Sequence, residues 1–252
     1  MQRFLVDPAD WTQDRLTLSG ETAHHLLHVL RIQPGEEVAV LDGRGREARA
    51  RFVEARRGQA WLDIVSQTEH PRPEVSIVLA QALPKGEKMD WIAQKATELG
   101  AAEIAPVVTE RCVMQLEGAK AESRRQRWTR IVGAAAEQCG TPWIPEIRPV
   151  VRLAEFLEGV RGRETLLVGA LSGQPRPLRE AVAELKAHRT KRVTLLIGPE
   201  GDLTEAEVAA ALDAGGIAVS FGPRVLRVDT AAIYGLSVLV YEILSGSPFC
   251  AE

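Results

Sequence analysis

Beyond residue 74 the chain alternates between short, continuous apolar runs and longer amphipathic stretches. This alternation restricts the fold more than any other feature of the sequence. The apolar runs are Val75–Ala80, Ile104–Val108, Leu166–Val168, Val193–Ile197 and Ile217–Phe221. Between and after them, Lys88–Leu99, Glu122–Gln138, Leu178–His188, a stretch opening at Thr204 and another from Thr230 to the end read as helices, with Gly100 and Gly140 as stops. A strand that is apolar on both sides must be buried on both faces, and strands separated by helices pair in parallel. The expected fold is α/β, with a mostly parallel sheet covered by helices.

The chain before residue 70 has a different rhythm. Arg3–Val6 reads as a short strand and Glu21–Arg31 as one amphipathic helix, whereas Glu37–Asp42, Ala48–Val53 and Ala60–Val65 alternate like half-buried strands. Gly43 and Gly45 mark a hairpin between two of these strands. His70-Pro71-Arg72-Pro73 then forbids helix and forces extended backbone. The sequence is therefore expected to divide into a small β-rich domain, 1–70, and an α/β domain, 74–252.

Composition excludes several classes. At 252 residues with 45% hydrophobic content the chain can bury a substantial core. No apolar run follows Met-Gln-Arg-Phe, so a secretory leader is not expected. The apolar segment Ala231–Leu244 is too short to cross a bilayer and reads as a core helix. Cys112, Cys139 and Cys250 form no paired spacing and suggest reduced thiols in the cytoplasm. His24 and His28 share a helix face, but no third ligand accompanies them, so no metal is expected. The net charge of −3 does not advertise a polyanion partner. Arginines nevertheless cluster locally, in 44–57 and in 111–130, and local basic stripes on a near-neutral chain can bind RNA.

In open α/β sheets, ligands sit beyond the carboxyl ends of the strands. Three segments qualify: Gly169–Gly173, Gly198–Gly201 and Gly222–Thr230. Their glycines and prolines suit a flat, largely apolar ligand held by backbone groups. Gly198-Pro199-Glu200-Gly201 reads as a type I turn with proline at its second position, leading into the capping-box pattern Thr204-Glu205-Ala206-Glu207. It matches neither a dinucleotide fingerprint nor a phosphate loop. Lys85, Lys88 and Lys95 stand near a helix start, where cations oppose the dipole and hint at an external anion.

Together these stretches resemble the bacterial 16S rRNA (uracil-N3)-methyltransferases of the SPOUT class. The resemblance is carried by Arg3-Phe4, His24-His25-Leu26, Val29-Leu30-Arg31, the Lys85–Gly100 block, Ala135-Ala136-Glu137-Gln138, Pro145, Gly198-Pro199-Glu200-Gly201 and Leu226-Arg227. It implies a PUA-like RNA-binding domain followed by a domain with a C-terminal trefoil knot, S-adenosylmethionine as cofactor, a homodimer, and small-subunit rRNA as partner. It further implies cofactor contacts from Leu171, Ser172, Ile197, Gly198, Pro199, Glu200, Gly201, Phe221, Gly222, Leu226, Arg227, Val228 and Thr230. RNA contacts are implied for Arg3, His25, Arg31, Lys85, Lys88, Arg124, Arg127 and Gln138. The chain departs from the pattern at Asp202, where a glycine is usual, at Val228-Asp229-Thr230, where Thr-Glu-Thr is usual, and at Thr141, where an arginine is common.

Methylating uracil N3 requires loss of its proton, through a base or through stabilisation of the resulting anion. Arg227 is the candidate for stabilising or orienting the base, and Glu200 or Asp229 for accepting the proton. Because N3 lies on the pairing edge, the target must be unpaired or flipped out. The competing readings are methylation of another RNA or of a ribose 2′-hydroxyl, and a non-catalytic RNA-binding or ribosome-assembly factor. A nicotinamide dehydrogenase fits poorly, since no glycine-rich fingerprint follows the first strand of the sheet.

Overall fold

The computed structural model describes residues 1–172 and 174–244. Gly173, Cys250 and the end of the last expected helix lie outside them. The chain folds into two compact units, Met1–Arg72 with Gly133–Ile144, and Pro73–Val132 with Pro145 onward. The inclusion of residues 133–144 in the first unit has no counterpart in the sequence reading.

The first unit holds a five-stranded sheet in the order β1-β3-β4-β5-β2. Its strands are β1 (Arg3–Leu5), β2 (Arg15–Leu18), β3 (Glu37–Leu41), β4 (Arg46–Arg56) and β5 (Gln59–Glu69). The β3–β4 hairpin turns through Gly43 and Gly45, both at positive φ. A Cβ on Gly45 would lie 2.4 Å from the Trp143 ring, so this turn needs glycine for space as well. β2 was not expected, because four residues are too short for alternation to register. The Glu21–Arg31 helix is shorter than its pattern suggests: α1 (Gly20–His24) widens into a π turn over His25–Val29, with Leu30 N–H donating to the His25 carbonyl at 3.0 Å, and Arg31 leaves at φ +54°.

The second unit is built on a fully parallel sheet in the order β11-β13-β10-β12-β6-β7-β8, with β9 also paired to β7. The strands are β6 (Ser76–Ala82), β7 (Glu103–Val108), β8 (Glu146–Ile147), β9 (Val151–Arg152), β10 (Thr165–Gly169), β11 (Arg176–Pro177), β12 (Arg192–Ile197) and β13 (Ile217–Ser220). The helices are α2 (Lys88–Glu98), α3 (Gly118–Cys139), α4 (Leu153–Val160), α5 (Leu178–Ala187), α6 (Glu205–Asp213) and α7 (Val228–Leu244). The last turns of α3 cluster with the first unit.

Consecutive strand residues point to opposite faces, and β12 shows what that buries. Leu196 joins Leu157, Val208 and Ala211 in the layer of α4 and α6, whereas Leu195 meets α7. α7 approaches closely because position 235 is glycine: a Cβ there would sit 2.7 Å from Leu195 Cδ2. Gly169 ↔ Ile197 and Gly169 ↔ Val219 are register partners, so β10, β12 and β13 end level with one another. That shared end carries the candidate site.

Candidate functional site

The segments after β10, β12 and β13 leave the sheet side by side, and the chain after β6 joins them. Phe221 wedges beneath this group. Its ring is edge-on to Tyr234 with centroids 6.0 Å apart, and a Cβ on Gly169 would meet its Cε2 at 2.9 Å. Glycine at 169 therefore makes room for the phenyl ring. Leu171 and Val225, 62% and 75% exposed, offer apolar surface from two of these loops.

The 198–201 turn is shifted by one residue from its expected register. Its closing hydrogen bond runs from Asp202 N–H to the Pro199 carbonyl at 2.9 Å, so proline opens the turn and Glu200-Gly201 is its centre. Asp202 sits at φ +59°, the left-handed region that favours glycine and that aspartate tolerates. Its carboxylate holds two segments together. Oδ1 accepts from Leu203 N–H at 2.9 Å and Oδ2 from Leu171 N–H at 3.3 Å. From the other side Arg111, in the loop after β7, donates to the Gly201 carbonyl at 2.7 Å. The capping box is complete: Thr204 Oγ1 accepts from Glu207 N–H, and Glu207 accepts from Thr204 N–H. Glu207 also accepts from Glu110 N–H at 2.8 Å, tying α6 to the same β7 loop. Sequence reasoning placed Arg111 only in a basic stripe, since its partner lies 90 residues away.

Glu200 turns toward α2. It accepts from Lys85 N–H at 3.2 Å to both oxygens and from Lys88 Nζ at 2.9 Å. Partial burial acts to raise its pKa. The Lys88 hydrogen bond, the backbone N–H groups of Glu200 and Lys85, and the charge of Lys88 outweigh burial, and the carboxyl is held below the ordinary glutamate value. The anion that the lysine at the start of α2 called for is thus supplied from within the chain. Lys88 Nζ also lies 3.9 Å from Asp229 Oδ1, in the first turn of α7. That oxygen is enclosed and has no hydrogen-bond partner among the described residues.

Arg227 and Thr230 are exposed at the start of α7, where the Arg227 carbonyl accepts from Ala231 N–H at 2.8 Å. Ile197, Gly198, Gly222, Leu226 and Val228 fall in the same group of strand ends and loops, as do Pro199 and Ser172. The residues assigned to RNA are scattered by comparison. Arg127 donates to Asp90, which also accepts from Trp128 Nε1, and to Glu87, bracing α3 against α2. Arg124 is half-buried, and Lys85, Arg31 and Gln138 are exposed. In the first unit His25 packs edge-on to Phe4, and Arg3 lies where a Cβ on Gly140 would be 2.6 Å from its Nε. The arginine-rich β4 is largely matched internally: Glu37 pairs with Arg49 and Arg51, and Asp42 with Arg46. Thr141 Oγ1 donates to the Trp143 carbonyl at 3.1 Å. A separate groove beyond the carboxyl end of β7 is lined by Thr109, Glu110, Arg152, Leu157, Ala206 and Glu207.

Residues 71–240 match the model of the RNA methyltransferase domain, and residues 18–65 that of the RNA methyltransferase PUA domain. The ribosomal RNA small subunit methyltransferase E of Bacillus subtilis is 31% identical, over 98% of this chain and 99% of its own length. The chain belongs to the ribosomal RNA small subunit methyltransferase E family. Among solved structures, a member of this family from Neisseria gonorrhoeae, bound to S-adenosylmethionine, superposes with a TM-score of 0.84 at 30% identity, covering 96% of this chain and 97% of the other. A Legionella pneumophila methyltransferase in complex with S-adenosylmethionine superposes at 0.82 with 34% identity, covering 94% and 96%. The PUA-like first unit and the parallel-sheet second unit are the architecture of the family.

Proposed function

We propose that this chain methylates N3 of one uridine in the RNA of the small ribosomal subunit, with the carboxyl-end loops of β10, β12 and β13 as the cofactor cleft. The chain is an rRNA methyltransferase that uses S-adenosylmethionine, as its family membership and cofactor-bound neighbours indicate. The observation that carries the site is the convergence of Leu171-Ser172, Ile197–Gly201 and Phe221–Thr230 at one end of the sheet, presenting backbone groups and exposed apolar side chains. These suit a flat heterocycle better than a phosphate. The cofactor supplies a methyl group on a positively charged sulfur.

The chain's own residues do the rest. Asp202 and Arg111 fix the spacing of the loops, so little ordering remains to be done on binding. Arg227, exposed and without a side-chain partner among the described residues, is placed to stabilise negative charge on the uracil carbonyls as N3 loses its proton. A cleft carboxylate takes that proton. Arg3, His25, Arg31, Lys85, Arg124 and Gln138 are proposed to contact the flanking RNA. The domain boundary near Pro73, a trefoil knot at the C-terminal end, and action in the cytoplasm belong to the same proposal. So does a homodimer. α7 is apolar around most of its circumference, and Tyr234 and Tyr241 are 47% and 70% exposed, which a self-complementary two-fold contact would cover.

The test incubates the protein and S-adenosylmethionine with small subunits from cells lacking the gene. Methylated N3 cannot pair, so reverse transcription stops at the modified base. A cofactor-dependent stop at one uridine is expected. Methylation found only at a ribose hydroxyl or at another base would refute the proposal.

A further inference from the structure

We infer that Asp229 is the group that accepts the uracil N3 proton, and that Glu200 is instead locked with Lys88 into a brace between α2 and the β12 turn. The inference rests on the N3 reading above and decides between its two carboxylates. The distinction is one of acceptor capacity. A carboxylate offers about four lone-pair sites on two oxygens. Both oxygens of Glu200 are engaged, by Lys85 N–H, and Oε1 also takes the Lys88 ammonium at 2.9 Å. A proton moving to Glu200 would compete with the Lys88 ammonium and the Lys85 N–H, the donors that tie this carboxylate to the start of α2.

Asp229 has the opposite status. Its carboxylate makes no hydrogen bond among the described residues, and its nearest cation is Lys88 Nζ at 3.9 Å. Oδ1 is enclosed, whereas the side chain as a whole remains 29% exposed, so Oδ2 is the less enclosed of the two oxygens. Lys88, already held by Glu200, faces the closed side of the Asp229 carboxylate and leaves its open side free. Asp229 follows Arg227 by two residues, which puts an unspent acceptor and a free guanidinium at one helix start.

In the step, the N3 proton passes to Asp229 Oδ2, and the pair it leaves on nitrogen forms the new N–C bond. The electrons of the broken C–S bond remain on sulfur, which becomes neutral. Asp229 then releases its proton to solvent, so one methyl has replaced one proton.

The experiment compares full-length wild type, Asp229→Asn, Asp229→Glu and Glu200→Gln. Single-turnover rates are measured on 16S RNA fragments transcribed with uridine or with 5-fluorouridine, whose N3–H is more acidic. Cofactor affinity is measured by calorimetry and RNA affinity without cofactor. Asp229→Asn is expected to slow transfer to uridine by about 100-fold or more, to keep both affinities within about twofold, and to recover at least tenfold on 5-fluorouridine. Asp229→Glu should restore most of the rate. Glu200→Gln should weaken cofactor binding while keeping the wild-type ratio of rates on the two RNAs. If Asp229→Asn is poorly folded, Asp229→Ser keeps an oxygen in the first helical turn and is read in the same way. An equal defect of Asp229→Asn on both RNAs, or a substrate-dependent defect in Glu200→Gln, would overturn the assignment. A wild-type enzyme that leaves N3 untouched would instead overturn the reading on which it rests.

Discussion

Replacing Asp202 should weaken cofactor binding more than it destabilises the fold. The residue does two separable things. It occupies φ +59°, and it bridges Leu171 N–H and Leu203 N–H. Each bridge contributes about 1 kcal/mol net, the 3.3 Å one less. Placing alanine in the left-handed region costs roughly 1–2 kcal/mol. Asp202→Ala therefore loses about 2–4 kcal/mol of local order, and Asp202→Gly, which relieves the backbone, about 1–2 kcal/mol. Asp202→Asn keeps one acceptor oxygen and the backbone tolerance, and loses least. If the bridge sets the spacing of the cofactor loops, this energy appears in the dissociation constant, at about tenfold per 1.4 kcal/mol. The expected order of affinity for S-adenosylmethionine is wild type, Asn, Gly, Ala, with glycine weaker than wild type by about fivefold to thirtyfold. Titration calorimetry reads this directly, and thermal unfolding monitors the fold in parallel. Wild-type affinity in all three variants would refute the reasoning, because the loops would then hold their spacing without the carboxylate.

Three other outcomes follow from the same structure. Arg227→Ala should lower turnover by about 100-fold, the usual cost of removing one donor to a developing oxyanion, with cofactor affinity within a few fold; loss of cofactor binding instead would contradict its role. Glu103 is partly buried, which acts to raise its pKa, but its hydrogen bond to Arg192 and the charges of Arg148 and Arg192 hold it below the ordinary glutamate value. Its contribution is therefore present above about pH 4.3 and is lost as pH falls through the lower folded value. Thermal scans from pH 7 to 3 should show an acid loss of stability that is shallower in Glu103→Gln, which should also unfold several degrees lower at pH 7. Gly235→Ala gains about 1 kcal/mol of helix propensity, yet its Cβ would lie 2.7 Å from Leu195 Cδ2. Overpacking at about 1–3 kcal/mol wins, and the melting temperature should fall.

The parallel sheet was legible because its strands are apolar on both faces, and a run such as Val193–Ile197 has few other uses. The capping box at Thr204 fixed the start of α6 to one residue. α4 was missed, although Leu153, Phe156, Leu157 and Val160 have helical spacing and form its buried face. It is eight residues long and directly follows the short strand β9, which blurred both patterns. The candidate loops were readable from glycine and proline, but the bonds that set their geometry were not. Lys88–Glu200, Arg111–Gly201 and Leu171–Asp202 join residues 112, 90 and 31 apart. Only the sheet order, which runs β10-β12-β6-β7, brings them together. The turn register likewise depends on the conformation of Asp202, which local propensity left open.

Hydrogen exchange with and without S-adenosylmethionine tests the central claim most directly, because it maps where the cofactor orders the backbone. Protection concentrated in 169–172, 197–203 and 221–228 is the predicted result. Unchanged exchange in those segments, with protection in the Thr109–Arg152–Glu207 groove instead, would contradict the account.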